Sequence, residues 1–230
     1  MYKTLFVDLD DTIWDTRSNG KESMEEVYRD YGFDRFYPSF KAFYDVYFPH
    51  NCMLWDQYRD GKITKDELIV ERLLYPLRPF GNYDKQFILS LNDDFLTRTT
   101  TKTKLLPHAL EVLDYLKDAQ YKMYIVSNGF EEVQYRKINN SGLSPYFEGV
   151  VLSDKVGVNK PHPAIFAAAL DMAGSTKADS LMIGDSWGAD IVGAKNSGID
   201  QVWYDMGFEP SSGFNPTYRI QSLLELKDIL

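Results

Sequence analysis

Three carboxylates crowd the end of one short apolar run. Leu5-Phe6-Val7 leads into Asp8, Asp10 and Asp11. Like charges this close repel, so folding alone gains nothing from them and a cation is implied. A further carboxylate, Asp185, follows the apolar run Leu181-Met182-Ile183. Asp8, Asp10 and Asp185 brought together form an all-oxygen set, which suits a hard ion, Mg²⁺ rather than Zn²⁺. The three histidines, His50, His108 and His162, are not spaced as a zinc set.

A carboxylate beside such an ion can also act as a nucleophile. Attack by Asp8 on phosphorus would form an aspartyl phosphate and split one hard displacement into two easier ones. Asp10, two residues on, can protonate the leaving oxygen and then activate water. The Ser127 hydroxyl, the Asn128 side chain and the Lys160 ammonium would supply donors to the phosphoryl oxygens. With Asp8 and Asp185 ionised and Asp10 protonated, the ion and Lys160 leave one net positive charge, which receives a phosphate dianion. Without the ion the balance is one negative charge, and binding should fail. Each feature alone has an ordinary reading. An Asp pair after a strand is often a turn or a helix cap. Ser127-Asn128-Gly129 is a common turn, Gly184-Asp185-Ser186 a common helix start, and Lys160 before Pro161 a solvated lysine in extended backbone.

The elements that must position these groups alternate. Residues 3–7 read as a buried strand. Residues 15–99 are polar and aromatic and read as mostly helical, with Phe36, Phe40, Phe43, Tyr44 and Tyr47 at helical spacing. Thr64-Lys65-Asp66-Glu67 has the form of a capping box, and residues 84–96 of another helix. From about residue 105 onward helices and strands take turns. Strands are predicted at 121–126, 148–152, 181–183 and 201–204. Helices are predicted from near Pro107, over 130–140 and 163–173, after Asp185, and at the end, capped by Ser222 and Glu225. This rhythm predicts an α/β fold: a Rossmann-like doubly wound parallel sheet over 1–14 and 100–230, with a helical cap inserted at 15–99. In such sheets reactive groups gather beyond the carboxyl ends of the strands. Asp8, Ser127 and Asp185 each end a strand, so one pocket is expected, with the helical insert able to fold over it.

The totals narrow the partners. The chain has 230 residues, 44% hydrophobic and 26% charged, with a formal net charge of -9. That acidic balance disfavours a nucleic acid polymer, because no cation excess is there to displace counterions. No apolar run is long enough to cross a membrane, and no signal pattern opens the chain. The single cysteine, Cys52, excludes an internal disulfide and suggests a reducing, cytoplasmic setting. Cys52 lies among Met53, Leu54 and Trp55 and is expected to pack rather than react. The aromatics are expected to form the insert's core, with base stacking by Trp55 or Tyr58 the lesser reading.

Asp8-Leu9-Asp10-Asp11-Thr12, Ser127-Asn128-Gly129, Lys160-Pro161 and Gly184-Asp185-Ser186 with Asp190 together resemble the four motifs of the haloacid dehalogenase-like hydrolase superfamily. The resemblance implies Asp8 as the phosphorylated nucleophile and Asp10 as general acid/base whose main-chain carbonyl also binds Mg²⁺. It implies Ser127, Asn128 and Lys160 as phosphate-binding groups and Asp185 as the acidic metal ligand. Asp190 becomes an outer carboxylate orienting a metal water or Lys160, and Thr12 a supporting residue. Leu54-Trp55, Gly61-Lys62-Ile63-Thr64, Phe130 with Gln134 and Arg136, Ser141-Gly142-Leu143, Val156-Gly157-Val158 and Pro216-Thr217-Tyr218 resemble the pyrimidine 5′-nucleotidase branch. That implies a Mg²⁺-dependent phosphomonoesterase of small phosphorylated substrates, nucleoside 5′-monophosphates first. Phosphatases of sugar phosphates or phosphoglycolate and a phosphosugar mutase share the motifs. Carbon–halogen hydrolysis needs neither Asp10 nor Asp185. A phospho-aspartate signalling module would place its acceptor after a middle strand, which here ends in Ser127, and is far shorter. Oligomeric state is not encoded in any feature of the sequence.

Overall fold

The computed structural model describes residues 2–207 and 213–230. The chain divides into two compact units, Met1–Thr16 with Thr103–Leu230, and Arg17–Lys102.

The first unit is built on a six-stranded sheet. Its strands are β1 (Thr4–Val7), β2 (Lys122–Ser127), β3 (Gly149–Leu152), β4 (Ser180–Gly184), β5 (Asp200–Tyr204) and β6 (Tyr218–Ile220). Every pairing is parallel, in the order β3-β2-β1-β4-β5-β6. A parallel sheet must bury both faces, and the alternation along β1 does so. Leu5 and Val7 join a cluster with Val112, Leu113, Leu116 and Ile138. Phe6 joins Val126, Ile165, Phe166, Ala169, Met182 and Ala194. The sheet is therefore doubly wound. β1 lies centrally, and the chain moves outward through β2 and β3 before β4 returns to β1's other side. That reversal opens a crevice beyond the carboxyl ends of β1 and β4, the usual ligand position of such sheets.

The second unit holds most of α1 (Thr16–Asp30), then α2 (Phe40–Arg59), α3 (Lys65–Leu77) and α4 (Lys85–Thr101). Their starts are set by side-chain caps: Ser39 accepts from Ala42 N, Asp84 from Phe87 N, and Thr64 forms a full capping box with Glu67. Phe33, Phe43, Tyr47, Leu73, Leu91 and Phe95 fill the core, so the aromatics at helical spacing are packing residues here. Arg98 pairs with Asp30 at 2.6 Å and Lys102 with Glu26 at 2.5 Å, fastening α4 to α1. No helix among the described residues is long and apolar enough to cross a membrane.

The remaining helices belong to the first unit: α5 (Ala109–Asp118), α6 (Glu131–Asn140), α7 (Ser153–Val156), α8 (Pro163–Ala173) and α9 (Val192–Ser197). Three expectations need correction, and two short elements were missed. Cys52 is exposed, because it faces away from the bundle side that buries Leu54. β6 and the short α7 escaped sequence reading, being too brief for periodicity to register. The helix expected at the end is a run of tighter turns over Leu223–Asp228, although its Ser222–Glu225 capping box is present. α4 runs on to Thr101, past the residue 96 expected from its apolar pattern.

Candidate active site

Asp8 follows β1 directly, and its N–H donates to Ile183 O on β4 at 2.9 Å. Its carboxylate is almost wholly buried. Oδ1 accepts from Lys160 Nζ at 2.6 Å, and Oδ2 lies 3.4 Å from Thr12 Oγ1. Loss of hydration pushes the Asp8 carboxyl up to about 7, with Lys160 opposing and the charges of Asp190 and Asp10 adding to the rise.

Lys160 is 2% exposed. Its Nζ reaches Asp8 Oδ1 at 2.6 Å, Asp190 Oδ1 at 2.7 Å and Val126 O at 2.6 Å. Two of these contacts, to Asp8 and Val126, are hydrogen bonds, and the third, to Asp190, is an ion pair. Burial alone would lower the Lys160 pKa; the Asp190 and Asp8 carboxylates outweigh it and hold the ammonium well above its ordinary value. The main chain at Lys160 is pinned too. Its N–H donates to Asn128 Oδ1 at 2.7 Å, and Asn128 Nδ2 donates to Lys160 O at 3.0 Å. Asn128 thus spends half of its side-chain capacity, one donor and one lone pair, on placing Lys160.

Asp190 sits in a widened helical turn, Trp187–Ile191, of the π type often found at functional sites. Its Oδ2 accepts from Ser186 N at 3.1 Å. The close approach depends on Gly184, where a Cβ would fall 2.3 Å from Asp190 Oδ2. Asp185, at the end of β4, shares Thr12 with Asp8. Thr12 Oγ1 lies 3.3 Å from Asp185 Oδ1 and accepts from Asp185 N at 3.1 Å. Thr12 has one hydroxyl hydrogen, so it can donate to only one of the two carboxylates at a time.

Asp8, Asp185 and Asp190 each offer an oxygen within 4.8 Å of the others. Within this group Asp190 faces Lys160 at 2.7 Å and accepts from Ser186 N at 3.1 Å. The donor set is all oxygen and anionic, contains no His or Cys, and fits a hard divalent cation.

The Asp10 carboxylate is not in that group. It lies in a second cluster, where Oδ1 accepts from Lys137 Nζ at 2.5 Å and Thr16 Oγ1 at 2.6 Å, and Oδ2 from Gln134 Nε2 at 2.6 Å. Lys137 also lies 4.5 Å from the Trp14 ring centre. Burial works against the charged form of Asp10, but Lys137, Thr16 and Gln134 overcome it and hold the carboxyl below its ordinary value. The assumption of a protonated Asp10 is therefore corrected for this state: the adjacent ammonium keeps it ionised. Counted with Asp190 and Lys137, four carboxylates face two ammonium groups. A divalent cation would bring the fully ionised site to neutrality, not to a positive charge. Ser127, at the end of β2, joins this second cluster by accepting from Gln134 Nε2 at 2.7 Å and Gly129 N at 3.1 Å.

Lys137 and Thr16 went unnoticed in the sequence, and Gln134 entered only as part of a motif. Helical spacing carried a signal, since Gln134 and Lys137 are three apart on α6 and share its buried face with Val133 and Ile138. Asp11, where many relatives of this motif have Gly, has φ 56°, in the left-handed region that Asp tolerates better than most residues.

Comparison with known proteins gives the family. The model of the haloacid dehalogenase-like hydrolases matches residues 2–198. Pyrimidine 5′-nucleotidase PynA of Streptococcus pneumoniae is 33% identical over 100% of this chain and 95% of its own length. Pyrimidine 5′-nucleotidase YjjG of Escherichia coli is 29% identical over 98% of this chain and 96% of its own. The crystal structure of the putative HAD-hydrolase YfnB of Bacillus subtilis, bound to magnesium, superposes with a TM-score of 0.87 at 29% identity, covering 99% of this chain and 98% of that one. By its motifs, its sheet and these likenesses, the chain belongs to the haloacid dehalogenase-like hydrolases.

Proposed function

We propose that the protein is a cytoplasmic, Mg²⁺-dependent phosphomonoesterase acting on nucleoside 5′-monophosphates of the pyrimidine type, with Arg17–Lys102 as its substrate-selecting cap. The observation that carries this reading is the Asp8 carboxylate, fixed by Lys160 at 2.6 Å and grouped with Asp185 and Asp190. Asp8 attacks phosphorus, the bond to the leaving oxygen breaks, and Asp10 delivers the proton that oxygen needs. Asp10 accepts that proton beforehand by letting go of Lys137 or Gln134. Water then attacks the aspartyl phosphate with Asp10 as base, which releases inorganic phosphate and restores Asp8. Asp8 and Asp185, with the main-chain carbonyl of Asp10, would hold the ion. When bound, it supplies positive charge against the phosphoryl oxygens. Lys160 contributes charge and places Asp8, while Ser127 donates to a phosphoryl oxygen. The names of PynA and YjjG support the nucleotide class.

The test is release of inorganic phosphate across nucleoside mono-, di- and triphosphates, sugar phosphates and phosphoglycolate, with p-nitrophenyl phosphate as generic substrate. Turnover should stop with EDTA and return with Mg²⁺, and Asp8→Asn should lose at least about a thousandfold in kcat. Full activity in Asp8→Asn would remove the covalent route.

A further inference from the structure

Gln134 has no exposed surface. Its Nε2 stands between two residues of the proposed machinery, 2.6 Å from Asp10 Oδ2 and 2.7 Å from Ser127 Oγ. Chemistry dictates that nitrogen, not oxygen, occupies this end. Asp10 Oδ2 and Ser127 Oγ both accept at this end, Asp10 Oδ1 being already taken by Lys137 and Thr16. Both amide hydrogens are therefore committed, one to each neighbour. The other end of the amide, Oε1, is buried without a hydrogen-bond partner. That is a standing cost which a leucine here would avoid, so the donor end is what the site requires. Even the backbone makes room, because a Cβ on Gly129 would fall 2.4 Å from Gln134 Cδ and Nε2.

The consequence falls on Ser127. Its oxygen has two lone pairs. One accepts from Gly129 N at 3.1 Å and the other from Gln134 Nε2 at 2.7 Å. With both filled, Ser127 can act only as a donor, and its hydrogen meets no acceptor among the described residues. We propose that Gln134 is a positioning residue that makes Ser127 an obligate donor to an anionic oxygen of the substrate and ties that donor to Asp10. This rests on the phosphomonoesterase reading and deepens it. Orienting the hydroxyl before binding removes a rotor that would otherwise be ordered when phosphate arrives.

The experiment is a double-mutant cycle in the full chain. Gln134→Glu, nearly the same shape, replaces the donor by an acceptor and turns the Ser127 hydrogen inward. The readouts are KM and kcat for p-nitrophenyl phosphate and, separately, the inhibition constant of inorganic phosphate. In the presence of Ser127, Gln134→Glu should weaken phosphate binding and raise KM by roughly 10- to 100-fold, the loss of one charge-assisted hydrogen bond. In the Ser127→Ala background the same change should weaken phosphate binding less than about threefold, because its target is gone. Gln134→Met serves the same cycle if the glutamate variant does not fold, with a loss of several-fold confined to the Ser127 background. Equal losses in both backgrounds, or an unchanged phosphate constant, would overturn the inference while leaving the phosphatase reading intact. A folded wild-type protein that neither releases nor binds phosphate would overturn that reading and the inference with it.

Discussion

Lys160 donates to Asp8 and to the Val126 carbonyl, ion-pairs with Asp190, and is 2% exposed. A lysine so placed cannot reach for a ligand without giving up a bond. Its first task is to make two adjacent buried carboxylates tolerable. Removing it leaves uncompensated buried charge, which typically costs about 3–5 kcal/mol. We expect Lys160→Met to lower the free energy of urea unfolding by that order, with or without substrate, and to abolish turnover. Stability within about 0.5 kcal/mol of wild type would contradict this account of the pair. Lys137 stands to Asp10 as Lys160 stands to Asp8, but on a half-buried carboxylate, so its pairing can be broken during turnover more cheaply.

Among the elements, α2 and α3 share a contact expected to respond to pH. The His50 ring stacks on Tyr75, with centroids 3.7 Å apart and planes 11° from parallel. Loss of hydration depresses the His50 pKa, helped by Arg78 and opposed by Glu71. The folded form therefore binds its proton less readily than the unfolded chain, whose histidine titrates near about 6.5. The sign follows: stability is full above that value and falls as pH drops through it toward the folded pKa. Urea unfolding at pH 7.5 and 5.5 should show a larger loss in wild type than in His50→Phe, which keeps the stack and cannot charge. Equal losses would show that the ring does not contribute. Elsewhere, the elements that hold the site are short and depend on close approach. The turn carrying Asp190 needs Gly184, and the start of α6 needs Gly129.

At the scale of the whole molecule, the acidic group exists only in the folded state, so a cation held there would link binding to stability. A divalent cation at a hundred times its dissociation constant should stabilise the chain by about 2.7 kcal/mol. We expect the thermal midpoint to rise with Mg²⁺ and the rise to vanish in Asp185→Asn; a rise that persisted in that variant would place the ion elsewhere. The carboxylates, the lysine and the alternation of helix and strand were legible in the chain because residue type and period are local properties. Buried parallel strands are apolar throughout, and their ends announce themselves where charge begins, as at Val7–Asp8 and Gly184–Asp185. The brief β6 and the final tight turns lack enough residues for a period to declare itself. Which partner each charge takes was decided by tertiary structure alone. Asp10 and Asp8 are two residues apart, yet one meets Lys137 and the other Lys160, 127 and 152 positions away. The pairing of β2 with β1 sets those meetings, since Lys137 lies on the helix that follows β2 and Lys160 bonds to Val126 and Asn128 at its end; electrostatic pairing acts through a few ångströms of space and leaves no mark on sequence spacing.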